Sequence, residues 1–124
     1  MNNCPAYKSY QIKVSFVEGQ VICDPNPRDI PQDVIATITW YPVGSSNFTF
    51  LQFEWTNKNG FLSQDPIIHP KCVIAAVNNT GSNGAHKRRT DGAWPYILKI
   101  QVGDRVYQSG KDTVEDGKPI INNQ

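Results

Sequence analysis

His69-Pro70-Lys71-Cys72 places an imidazole and a thiol three residues apart, and one His-x-x-Cys pair is half of a structural zinc site. The only other histidine is His86 and the only methionine is Met1, so the two-histidine, one-cysteine, axial-methionine set of a blue-copper centre is not assembled. The pair therefore reads as a loop histidine beside a buried thiol, and no metal or cofactor is implied. Asp112, Glu115 and Asp116 near the end, with Asp24 and Asp29 in a proline-rich loop, could offer oxygen ligands to calcium. Their spacing matches no EF-hand pattern, and they read as solvated charges.

His86-Lys87-Arg88-Arg89 is the densest charge in the chain and falls in a polar, glycine-containing loop. Arginines offer bidentate forks to a carboxylate or phosphate, so this run and the neighbouring Trp94 form the candidate interaction loop. Trp55, Trp94, Tyr41 and Tyr107 are the aromatics that, if exposed, would stack on a sugar ring. Trp40, Phe16, Phe48 and Phe53 are assigned to the core. Nucleophilic catalysis has no support: there is no Gly-x-Ser-x-Gly elbow, and Gly81-Ser82-Asn83-Gly84 lacks the lysine and helix of a phosphate-cradling loop.

These residues need a scaffold, and 124 residues suffice for one domain with its own core. Hydrophobic residues make up 39% and charged residues 19%, a globular balance rather than a disordered one. No apolar run approaches the roughly 20 residues that span a bilayer. Met1-Asn2-Asn3-Cys4-Pro5 has neither the basic nor the apolar part of a secretory signal, so a cytoplasmic protein with free thiols at Cys4, Cys23 and Cys72 is expected. A formal charge of +1 disfavours nucleic acid as a partner.

Period-2 alternation recurs along the chain. Tyr10 to Val17 is predicted as a first strand, Glu18-Gly19 as its turn, and Gln20 to Cys23 as the returning strand. Residues 24–31 hold three prolines and are predicted as an ordered loop rather than a strand. Val34 to Tyr41 follows, with Val34, Ala36, Ile38 and Trp40 inward. Phe48 to Trp55 mixes two phases, which either a bulge near Phe50-Leu51 or burial on both faces would explain. Asn57-Lys58-Asn59-Gly60 carries a turn signal, Asp65 to Pro70 is extended, Cys72 to Val77 is a strand, and Asn78 to Arg89 a long loop. Tyr96, Leu98, Ile100 and Val102 alternate in the clearest strand; Gly103-Asp104 turns it into Arg105 to Gln108. Ile120-Ile121 adds a short last strand. No helical periodicity occurs, and the expectation is an all-β, antiparallel β-sandwich of about seven strands.

Cys23, Trp40 and Cys72 follow the order Cys…Trp…Cys of immunoglobulin domains, which the chain resembles, with Tyr96 as the tyrosine-corner residue. Leu98 stands where the second cysteine would follow that tyrosine, so the inter-sheet disulfide is not implied. Over most of its length the chain also resembles the small bacterial DP-EP family, uncharacterised immunoglobulin-like sandwiches. The resemblance is carried by the short first strand, the Cys23-Asp24-Pro25 exit, Tyr96-Ile97-Leu98-Lys99-Ile100 and the ending Asp116-Gly117-Lys118-Pro119-Ile120-Ile121-Asn122-Asn123. It implies a fold and a bacterial setting, and no activity. The functional expectation is a non-enzymatic interaction or structural module with a protein partner, or self-association through edge strands, and no membrane. The alternative is a small-ligand or carbohydrate-binding module that uses exposed tryptophans and polar loops.

Overall fold

Ile12 and Val14 alternate with exposed Gln11 and Lys13, so one face of the first strand is driven into a core and the other stays wet. The same rule, repeated along the chain, builds ten strands in the computed structural model, which describes residues 6–26, 28–31, 34–44, 47–55, 66–79, 92–109 and 120–123. In order they are β1 (Ala6–Val17), β2 (Gln20–Asp24), β3 (Arg28–Ile30), β4 (Val34–Pro42), β5 (Thr49–Trp55), β6 (Ile67–His69), β7 (Cys72–Asn79), β8 (Gly92–Val102), β9 (Arg105–Gln108) and β10 (Ile120–Asn123). Among the described residues there is no helix.

The strands form two sheets, β2-β1-β4-β7-β6 and β3-β10-β8-β5, with β9 paired to β8. The protein is all-β, as its patterning requires, but the strand count and the pairing depart from expectation. Two ladders are parallel: β1 runs parallel to β4 from Ala6↔Val34 to Val14↔Pro42, and β10 runs parallel to β3. Alternation along one strand fixes which side chains face the core, and it carries no record of a partner's direction, so an antiparallel sandwich could not be told from this mixed one. Strand β3 is a further correction. Arg28–Ile30 pairs with β10 although the segment was expected to be a loop. It is three residues long and lies at the outer edge of its sheet, where nearby prolines cost no ladder bonds on a central strand.

The two-phase pattern of Phe48 to Trp55 resolves as a bulge. The β5–β8 register shifts between Phe50 and Gln52, which turns Leu51 out to solvent and returns Phe53 and Trp55 to the core side. Between the sheets Trp40 of β4 lies 4.6 Å from the Phe53 ring and 5.2 Å from the Tyr96 ring, while Phe53 and Tyr96 stack at 5.1 Å. Trp40 and Tyr96 are fully buried, and this aromatic group joins the sheets at their centre. On one margin the sheets are tied by Phe50 N–H donating to the Pro70 carbonyl at 2.9 Å and by Lys71 Nζ donating to the Phe48 carbonyl at 3.2 Å.

Candidate functional site

The β1–β2 hairpin turns at Glu18 and Gly19, with φ of 52° and 80°. Two successive positive φ values make a type I′ turn, the kind that matches strand twist, and its flanking pair Val17↔Gln20 is hydrogen-bonded. Odd-numbered residues of β1 therefore aim their N–H and C=O groups at β2, and even-numbered ones at β4. The Val14 carbonyl accepts from Val43 N–H at 2.9 Å on the β4 side, in agreement with that phase.

The β1–β2 ladder begins at Lys13↔Asp24. Beyond Asp24 the chain leaves through Pro25, after a cis peptide bond, and crosses to β3 in the other sheet. The first half of β1 consequently pairs with β4 alone. Tyr7, Ser9 and Gln11 direct three N–H and three C=O groups toward an edge that no described strand occupies.

A cleft of about 520 Å³ lies against this edge. Ser9, Gln11 and Lys13 line it from β1, Asp24 and Pro25 from the end of β2, and Tyr41 from β4. Lys13 has Asp24 and Tyr41 as its two cross-strand neighbours, so cation, carboxylate and phenol sit in one row. Arg28 completes the wall from β3. Its guanidinium carbon lies 4.7 Å from the Tyr10 ring centroid, a cation–π distance, and its Nε is buried with no hydrogen-bond partner among the described residues. Among the described residues the cleft is lined by two cations, Lys13 and Arg28, and one carboxylate, Asp24.

A second polar group lies inside the core. Tyr96 Oη and Trp40 Nε1 are buried without a hydrogen-bond partner among the described residues, and the Cys23 thiol packs beside the same aromatics. The indole and the thiol lie near enough to affect the phenol's titration, and the phenol that of the thiol, yet no contact of Tyr96 Oη or Trp40 Nε1 closes to hydrogen-bond geometry. Among the described residues the hydroxyl of Tyr96 therefore ties no strand to an upstream backbone, and the tyrosine corner expected of an immunoglobulin-type domain is not seen there.

Burial pushes the Cys23 thiol from 9.0 up to about 12, with a nearby Tyr96 hydroxyl pulling weakly the other way, and burial raises Tyr96 well above 10.0. Between these values the unfolded chain gives up the thiol proton while the folded one keeps it. The stability tied to neutral Cys23 is thus complete below pH 9 and lost as pH rises toward 12. Urea unfolding of wild type and Cys23→Ala between pH 8 and 11 should show the wild type losing ground above pH 9, by up to about 1.4 kcal/mol per pH unit. Parallel curves would refute this.

The residues singled out from sequence fall in different places. His86, Lys87, Arg88, Arg89, the Asn57–Gly60 turn, Asp112, Glu115 and Asp116 lie outside the described residues. Trp94 lies in β8 with its backbone opposite Ile121. His69 and Cys72 are cross-strand neighbours in the β6–β7 hairpin, with His69 Nδ1 accepting from Lys71 N–H at 3.2 Å. No group of three metal-binding side chains is found among the described residues. Cys23 and Cys72 are free and belong to the same sheet.

Trp55, offered as an exposed aromatic, is only 3% exposed and packs on Phe53 and Tyr96, because the bulge at Leu51 returns it to the inner face. Tyr107 is half-buried against Phe16 at 4.6 Å. Of these aromatics Tyr41 lines the cleft, and the Trp94 side chain lies outside the described residues. Ser9, Gln11, Lys13, Tyr10 and Arg28 were not found from sequence. The one local signal was the Asp24-Pro25 exit, which ends the pairing that would have covered β1.

Fold and cleft together define an all-β, two-sheet protein in which, among the described residues, a strand edge is left unpaired beside a mixed-charge cleft. No family model matches the chain, and no curated protein does. No helix of the described residues is long and apolar enough to cross a membrane.

Proposed function

We propose that this chain is a non-enzymatic interaction module that engages a protein partner at the open edge of β1. The observation that carries the reading is the row of ladder groups at Tyr7, Ser9 and Gln11, left without a strand where β2 turns away. Edge groups of this kind template the addition of another strand unless they are covered or blunted. Tyr7 stands at this edge 77% exposed, so nothing described shields it.

Ser9→Pro tests the reading, because the Ser9 N–H points away from β4 and its loss leaves the internal ladder whole. Affinity capture with wild type and Ser9→Pro as paired baits, quantified by mass spectrometry, should give partners that the variant loses at least about tenfold, the scale of one or two ladder bonds. Identical captured sets would end it.

The carbohydrate-binding alternative is less well supported. Trp55 is buried, and the Tyr10 ring already carries the Arg28 guanidinium, which leaves Tyr41 as the described aromatic of the cleft lining open to stacking.

A further inference from the structure

Resting on the reading of β1 as a docking edge, we infer that its occupant is an extended peptide segment bearing a carboxylate, which adds as a strand beside Tyr7–Gln11 and places its acid on Arg28. Three features of the cleft point to this chemistry.

The first is the alternation of the edge. Ser9 and Gln11 offer backbone donors and acceptors two residues apart, the repeat of an extended chain, and the cleft runs alongside them. A compact ligand would use one of these positions; a strand uses both.

The second is charge. Lys13, Arg28 and Asp24 line the cleft, two cations to one carboxylate among the described residues, and exposed Lys8 lies on the same stretch of β1. A second copy of this chain, paired antiparallel about Ser9, would set its Lys8 opposite Tyr10 and hence beside Arg28. That like-charge approach disfavours the homodimer, whereas an acidic side chain at the same place meets a complementary field.

The third is the unsatisfied Nε of Arg28. The guanidinium carbon lies 4.7 Å from the Tyr10 ring centroid, and a planar fork whose buried Nε has no partner among the described residues is suited to recruiting a carboxylate. Because Arg28 sits on β3 while the edge belongs to β1, one peptide would touch both sheets where the chain crosses between them.

Selection from a phage library of linear twelve-residue peptides tests this on wild type, Ser9→Pro, Gln11→Pro and Arg28→Gln, each first checked for wild-type unfolding. Wild type should enrich β-prone sequences with Asp or Glu. Both proline variants should abolish the enrichment, and Arg28→Gln should keep binding but lose the acidic preference, with affinity for the enriched peptides falling about tenfold or more. Absence of enrichment, enrichment without acids, or acidic peptides indifferent to Arg28→Gln would overturn the inference. So would a concentration-dependent dimer by sedimentation that Ser9→Pro dissolves. Partner capture that depends on Ser9 while the peptides show no acidic bias would sink this inference and leave the module reading standing. Capture and selection both indifferent to Ser9 would remove both.

Discussion

Trp40→Ala is expected to cost about 3–5 kcal/mol, the range for truncating a buried aromatic, and to lower the melting temperature by roughly 10–20 °C. Trp40 is fully buried and touches Phe53 and Tyr96 of the opposite sheet, so the truncation empties the centre of the interface that holds the sheets together. A domain whose total stability is about 5–15 kcal/mol would be brought near its threshold. Trp40→Phe should cost far less. It keeps a ring against Phe53 and removes the indole N–H, a donor that has no described partner and contributes desolvation cost rather than a bond. Urea denaturation followed by circular dichroism measures both. A loss under about 1 kcal/mol for the alanine variant would show that the sheets are held mainly by their margins.

Ser109→Ala should destabilise by about 1–3 kcal/mol although it removes a single oxygen. Ser109 is the buried polar residue of the described core, 2% exposed. Its hydroxyl accepts from Leu98 N–H at 2.9 Å, and its own N–H donates to the Leu98 carbonyl at 2.9 Å. Leu98 lies in the gap along one edge of β8, after the residues paired with β10 at Gly92–Pro95 and before those paired with β9 at Lys99–Val102. Ser109 thus completes the ladder with one backbone and one side-chain group where no described strand reaches. Alanine would leave the Leu98 N–H buried and unpaired. Gln108→Ala, one residue earlier and exposed, is the control and should stay within about 0.5 kcal/mol. Equal effects at the two positions would mean that water replaces the hydroxyl.

The two variants also divide the molecule by what was legible beforehand. Trp40 follows Val34, Ala36 and Ile38 at intervals of two, so its inward direction could be read from spacing. Its role as an inter-sheet plug followed from its size. Ser109 carries no such signal, because a serine after an exposed glutamine looks like surface until the strand beside it is known to end.

The candidate site was illegible for a related reason. The basic run His86–Arg89 attracts notice because its charge is concentrated in sequence. Lys13 and Asp24 are set opposite each other by the β1–β2 hairpin, and Arg28 lines the same cleft only because β3 belongs to the other sheet.

By itself, then, the sequence determined the local terms: the period-2 faces of β1, β4 and β8, the positive-φ turns at Gly19 and Gly103, the irregularity that becomes the bulge at Leu51, and the all-β class. Each depends on sterics or burial within a few residues. The tertiary structure alone decided that β1 runs parallel to β4, that β3 is a strand, that Trp55 turns inward, and that no described strand covers the edge at Tyr7, Ser9 and Gln11. Those outcomes depend on which distant segment supplies the other half of each ladder. Backbone donors and acceptors are the same at every residue, so pairing leaves little trace in side-chain identity.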